Sequence, residues 1–172
     1  PVCVTLRGNV QTRLKKLKEG ACDGILLAAA GLKRLGIEEG EEWRFIRLSP
    51  EQFLPAGGQG ILAVETKADT EAHRLCSQID CRSSRLCLTA ERAVLEMLQA
   101  GCHAPVAVYA NLFEEDGETK LRLRGINGPE HASQLTDAEL KNKIRRVDLC
   151  GTLSEISVTT LADQAGKGLL WP

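Results

Sequence analysis

The segment LPAGGQG at 54–60 limits the possible folds more than any other stretch of the chain. Pro55 removes a backbone donor, and Gly57, Gly58 and Gly60 favour conformations that neither a helix nor a central strand uses. The segment therefore breaks the chain into two parts whose patterns differ, and it fits a crossing between domains.

Before it, residues 2–6 are a short β-branched run that stops at Arg7-Gly8-Asn9. Asn9 is a favoured helix N-cap, Val10, Leu14 and Leu17 recur at helical spacing, and Gly20 supplies a stop, so an amphipathic helix is predicted. Residues 24–29 form an apolar run of strand length, followed by Gly31 and a short helical stretch ending at Gly36. Strand, helix and strand in this order read as a βαβ unit.

After a charged, irregular stretch at 37–53 and the glycine segment, residues 61–64 look like another apolar strand. Helices are predicted over 70–79 and 84–99. The second carries Leu86, Ala90, Ala93, Val94, Met97 and Leu98 on one face and stops at Gly101. Two alternating strands, 106–113 and 120–126, flank Asp116-Gly117, a hairpin turn signal, and a last helix falls within 153–165. The expected fold is α/β in the first part and a small α+β domain in the second.

A hydrophobic content of 43% is enough for a core, and with only 3% aromatic residues that core must be aliphatic. The formal charge of −1 argues against general nucleic-acid or membrane binding, since both call for a net basic surface. No apolar run reaches the length of a membrane span and no signal-peptide pattern opens the chain, so a cytoplasmic protein is expected. Because the chain begins at Pro1 with structure-forming residues and no initiator Met, it is expected to be a fragment or a processed piece. Seven cysteines without a C-x-x-C pair fit neither a disulfide framework nor a zinc ribbon, and most are expected as buried thiols. His73 and His131 read as surface residues.

Charge is uneven: in residues 1–50, nine Lys/Arg face six Asp/Glu. Ligands of parallel sheets bind at strand carboxyl ends, which is where Arg7, Arg13 and Lys33-Arg34 fall. Gly8-Asn9-Val10 at a helix start offers amide donors to an oxyanion, and the arginine fork suits carboxylates. Solvated surface arginines are the alternative. Cys102 follows a helix C-terminus, where the dipole disfavours a thiolate. A plain buried cysteine and a thioether to a permanently attached group both remain open. A Cys/His hydrolase with His103 is weaker still, because sequence neighbours usually point apart. LPAGGQG lacks both nucleotide-loop patterns.

Five segments, RGNVQTRL at 7–14, ILLAAAGLKRLG at 25–36, LPAGGQG at 54–60, TAERA at 89–93 and GCHAPVAVYA at 101–110, occur together and in order in one family. The chain resembles porphobilinogen deaminase, also called hydroxymethylbilane synthase, a transferase of tetrapyrrole and heme biosynthesis. The resemblance implies two α/β lobes like periplasmic binding proteins and a third domain made of a small sheet covered by helices. Residues 1–50 then correspond to the second half of the middle domain. Residues 51–68 correspond to the segment returning to the first domain, and 69–172 to the C-terminal α+β domain that anchors the cofactor. The family's N-terminal region would be a missing partner of this chain.

The resemblance further implies a dipyrromethane cofactor held by Cys102 through a thioether, with Arg7, Gly8, Asn9, Arg13 and Gly31 as cofactor contacts. Arg13, Arg34 and Gln59 are implied as substrate contacts. Porphobilinogen would lose ammonia and be attacked by the growing chain, four rounds ending in hydrolytic release of hydroxymethylbilane. Each pyrrole carries an acetate and a propionate, which gives the arginines their partners. The family's catalytic aspartate belongs to the first domain and matches no residue here, so the chain is expected to be inactive alone. Gly57 stands where a valine is usual, and Gln99-Ala100-Gly101 where Glu-Gly-Gly is common. A non-catalytic anion-binding module with the same folds is the second reading. No metal is expected.

Overall fold

Asn9 opens the first helix through its side chain: its Oδ1 accepts hydrogen bonds from the Thr12 backbone N and hydroxyl, each at 2.9 Å. That helix, α1, spans Val10–Lys18, and Gly20 follows it in the left-handed region. This computed structural model describes residues 2–101, 103–153 and 157–171, all but the side chain of Ser133. The chain divides into two compact units, Pro1–Leu48 and Ser49–Pro172.

The first unit holds α1 and a short helix, α2, at Ala29–Arg34. The βαβ expectation is not met as a sheet. Residues 2–6 and 24–28, like 61–64 of the second unit, pair with no strand among the described residues. A strand is stabilised through its partner's ladder. Without one, Val2, Val4, Leu26, Leu62 and Val64 stay exposed where a sheet would bury them.

The second unit is a mixed helix and sheet structure. Thr70 caps α3, Glu71–Cys76, which runs through a short 3-10 turn at Ser77–Ile79 towards α4, Arg82–Met97. The antiparallel strands β1, Val106–Glu115, and β2, Glu118–Asn127, form the expected hairpin, with both Asp116 and Gly117 at positive φ as the tight turn demands. A helix α5, Asp137–Lys143, starts in a capping box made by Thr136 and Glu139. It leads to β3, Arg145–Thr152, which pairs antiparallel with β2 to complete the sheet in the order β1-β2-β3. The last helix, α6, is Val158–Leu169, capped by Ser157.

One face of the sheet carries Val108, Ala110, Leu121 and Leu123 into an aliphatic core with Ala90 and Val94 of α4 and Leu161, Ala162, Ala165 and Leu169 of α6. The two helices meet at Gly166, where an added Cβ would lie 2.3 Å from the Met97 sulfur. Only glycine permits that approach without repacking. On the other face Arg124 is buried, donating to Glu51 Oε1 at 2.7 Å and Asn111 Oδ1 at 3.2 Å, with its guanidinium 5.5 Å from the Tyr109 ring centre.

Candidate functional site

The first cluster is built on α1. Gly8 has φ +125, and a Cβ there would meet Thr12 Cγ2 at 2.7 Å, so the turn before the helix requires glycine. The turn is locked from the helix side: Arg13 Nε donates to Gly8 O at 2.8 Å and Lys16 Nζ to Arg7 O at 3.0 Å. A Cβ added at Gly31, in the first turn of α2, would lie 3.8 Å from Val10 Cγ2, so the first turns of the two helices are neighbours. Arg7, Gly8, Asn9, Arg13 and Gly31 are thus brought together, and Arg34 sits at the far end of α2. Lys15 and Lys18 pair with Glu19 and Glu42. Among the described residues no carboxylate pairs with Arg7, Arg13, Lys16, Lys33 or Arg34.

The second cluster surrounds the glycine segment, in the other unit. Gln59 is exposed in a turn closed by its own N–H to Ala56 O at 3.1 Å. The segment is tied to the sheet where Pro55 O accepts from Val108 N at 3.2 Å and to α4 where Gly58 N donates to Glu91 Oε2 at 2.6 Å, and Glu51 just before it pairs with Arg124 of β2. Glu91 is only 3% exposed, and its Oε1 accepts from Ala110 N at 2.8 Å. Burial pushes its carboxyl above the ordinary glutamate range, while the amides of Ala110 and Gly58 pull it back. Sequence reasoning missed this residue. The available signal was a glutamate inside the apolar stripe, four residues after Cys87 and three before Val94.

Helix α4 ends at Met97 with Leu98 as its C-cap, and the left-handed residue that follows is Gln99, φ +50, so the stop comes two residues before the expected Gly101. Cys102, the expected tether, lies outside the described residues. His103, His73 and His131 are exposed. The expectation of mostly buried cysteines is corrected. Of the six described, Cys3, Cys81 and Cys150 are exposed and Cys22, Cys76 and Cys87 half-buried, all as free thiols. Cys81 stands at the N-cap position of α4 without a side-chain capping bond, and hydrogen bonds with Ser83 and Ser84 bring its thiol down to about 7. Among the described residues no cluster of His, Cys, Asp or Glu could hold a metal, and no helix is long and apolar enough to cross a membrane.

Residues 2–74, which contain the whole arginine cluster, match the family model described as porphobilinogen deaminase, dipyromethane cofactor binding domain, and residues 85–155 match that for the porphobilinogen deaminase C-terminal domain. The chain belongs to the porphobilinogen deaminase family. A porphobilinogen deaminase of Roseiflexus sp. is 41% identical over 97% of this chain and 52% of its own length. A probable porphobilinogen deaminase of Methanosarcina barkeri is 47% identical over 93% and 50%, and a porphobilinogen deaminase of Roseiflexus castenholzii is 49% identical over 72% and 39%. The chain spans about half the length of the curated relatives it matches, or less. The donor set fits the cofactor that the first family model names. A dipyrromethane bearing acetates and propionates needs several cations that no protein carboxylate already neutralises, and among the described residues the α1 turn offers Arg7, Arg13 and Lys16.

Proposed function

We propose that this chain supplies the cofactor-holding part of a cytoplasmic transferase that joins four porphobilinogen units into hydroxymethylbilane. The observation that carries the proposal is the turn at Arg7-Gly8-Asn9, locked by Arg13 and Lys16, whose cations have no carboxylate partner among the described residues and lie within the cofactor-binding match. Cys102 is the covalent tether, through a thioether. When bound, the dipyrromethane supplies the nucleophilic pyrrole end on which the product is built.

The chain's own residues bind and orient. Arg7 and Arg13, with the amides behind Gly8 and Asn9 and the close approach allowed at Gly31, hold the carboxylates of the tethered group. Arg13, Arg34 and Gln59 receive those of the incoming pyrroles. Residues 1–50 belong to a lobe of the periplasmic-binding-protein type, 51–68 run back towards a first domain, and 69–172 anchor the cofactor. No residue here matches the family's catalytic aspartate, so turnover requires a further region that carries it. The partners are porphobilinogen, its linear oligomers and that region, with no role for nucleic acid or membrane.

Porphobilinogen titrated into the 172-residue chain is expected to shift the amide resonances of residues 8–13 and to yield no hydroxymethylbilane. Arg13→Ala should weaken that binding about tenfold, the loss of one charge-assisted hydrogen bond. Equal binding by Arg13→Ala, or product formed by the chain alone, contradicts the proposal.

A further inference from the structure

The free edge of β1 presents outward amides that need acceptors, and two come from unusual sources. Val108 N donates to Pro55 O, and Ala110 N to the side chain of Glu91. The same carboxylate takes the Gly58 amide with its other oxygen. Around it the glycine segment lies tight on α4: a Cβ at Gly57 would meet Leu95 Cδ1 at 2.7 Å, and one at Gly58 would meet Leu88 Cδ1 at 3.4 Å. A carboxylate is the one side chain of this length that accepts two N–H groups through two separate oxygens. Glutamine offers one acceptor and turns an NH2 group towards the second amide.

We infer that Glu91 is a positioning residue: its carboxylate, shared between the amides of Gly58 and Ala110, pins the segment 54–60 to the edge of β1 and sets how Gln59 meets the acidic pyrroles. The last step rests on the function proposed above, and the clamp does not. Burying this carboxylate opposes folding. Because its carboxyl is raised, the stability linked to it is fully present below the ordinary glutamate range and is lost as pH rises through the raised value. A neutral isostere cannot accept both backbone amides at once, which points to a role in geometry. The titration of Cys87, one turn earlier on α4, feels this charge: its thiol is held up by burial first and by Glu91 second.

The test is amide exchange and pH titration by NMR on the whole 172-residue chain. In the wild type the Gly58 and Ala110 amide shifts should titrate together, with one midpoint above the ordinary glutamate range. In Glu91→Gln that titration should vanish and Gly58 should exchange at least tenfold faster, while amides of the β1-β2 ladder and the thermal midpoint stay close to wild type. A merely structural residue would instead lower all of these together. Porphobilinogen should shift Gln59 in the wild type and do so severalfold more weakly in Glu91→Gln. Unchanged Gly58 exchange, or wild-type shifts that titrate separately, overturns the inference, and the titration decides it even if the variant fails to fold. A Gln59 deaf to porphobilinogen beside an intact clamp signature removes the functional half and the substrate role proposed for Gln59, leaving the clamp alone.

Discussion

Leu123→Ala is expected to lower the stability of the Ser49–Pro172 unit by about 3 to 4 kcal/mol. Leu123 is fully buried on the central strand, flanked across the ladders by Ala110 and Leu149, and it faces the helices. Truncation removes its transfer energy and leaves a cavity that the neighbours cannot fill. The small residues on the inner face of α6, Ala162, Ala165 and Gly166, already hold that helix at close range. The readout is hydrogen exchange of the β2 amides, whose protection should fall by about two to three orders of magnitude, one for each ~1.4 kcal/mol. Leu123→Met, which nearly conserves volume, should cost less than about 1.5 kcal/mol. Equal losses for the two variants would mean that this face of the sheet is not the core.

Arg124→Ala should cost about 2 to 3 kcal/mol, for a different reason. The guanidinium fills space on the face of the sheet away from α4 and α6, and its removal strands Asn111 and unties residue 51 from β2. Glu51 is largely exposed and turns to water when its partner goes, so the loss stays below that of breaking a wholly buried ion pair. Arg124→Met restores most of the volume and should cost markedly less. Acid separates packing from charge. The hydrogen bond from Arg124 brings Glu51 down to about 2, so its contribution is present above the ordinary glutamate value and is lost as pH falls through about 2. Between about pH 4.5 and pH 2, the wild type should therefore lose more stability than Arg124→Met. Parallel pH profiles for the two would show that the pairing with Glu51 does not hold the segment.

The elements readable in the sequence are those whose signals are local. Asn9 with Gly20 bounded α1, Leu35-Gly36 ended α2, and Asp116-Gly117 fixed the hairpin and its register, because caps and tight turns are decided by a few adjacent residues. The third strand was not readable. Its outward positions are Arg146, Asp148 and Cys150, and only Val147 and Leu149 mark the inward side before Gly151, too few to establish alternation. The runs at 2–6 and 24–29 read as strands by composition, yet pairing depends on residues distant in sequence, and none of the described residues supplies it. The arginine cluster was legible as charge and as motif, but Lys16 was not, since its role depends on the helix bringing it back to the carbonyl of Arg7. Glu91 was hidden for the opposite reason: as one more charged residue on a helix it looked solvated, and only the fold brings two backbone amides to it.

The attachment of a pyrrole pair to one sulfur is best tested by the intact mass of the denatured chain, recovered from cells that make porphobilinogen. The wild type is expected to be heavier than its sequence by two linked pyrroles, the addition mapping to the peptide that contains residue 102, and a Cys102→Ser variant to have the bare sequence mass. A wild type at the bare mass, or an addition that persists in Cys102→Ser, would contradict that attachment.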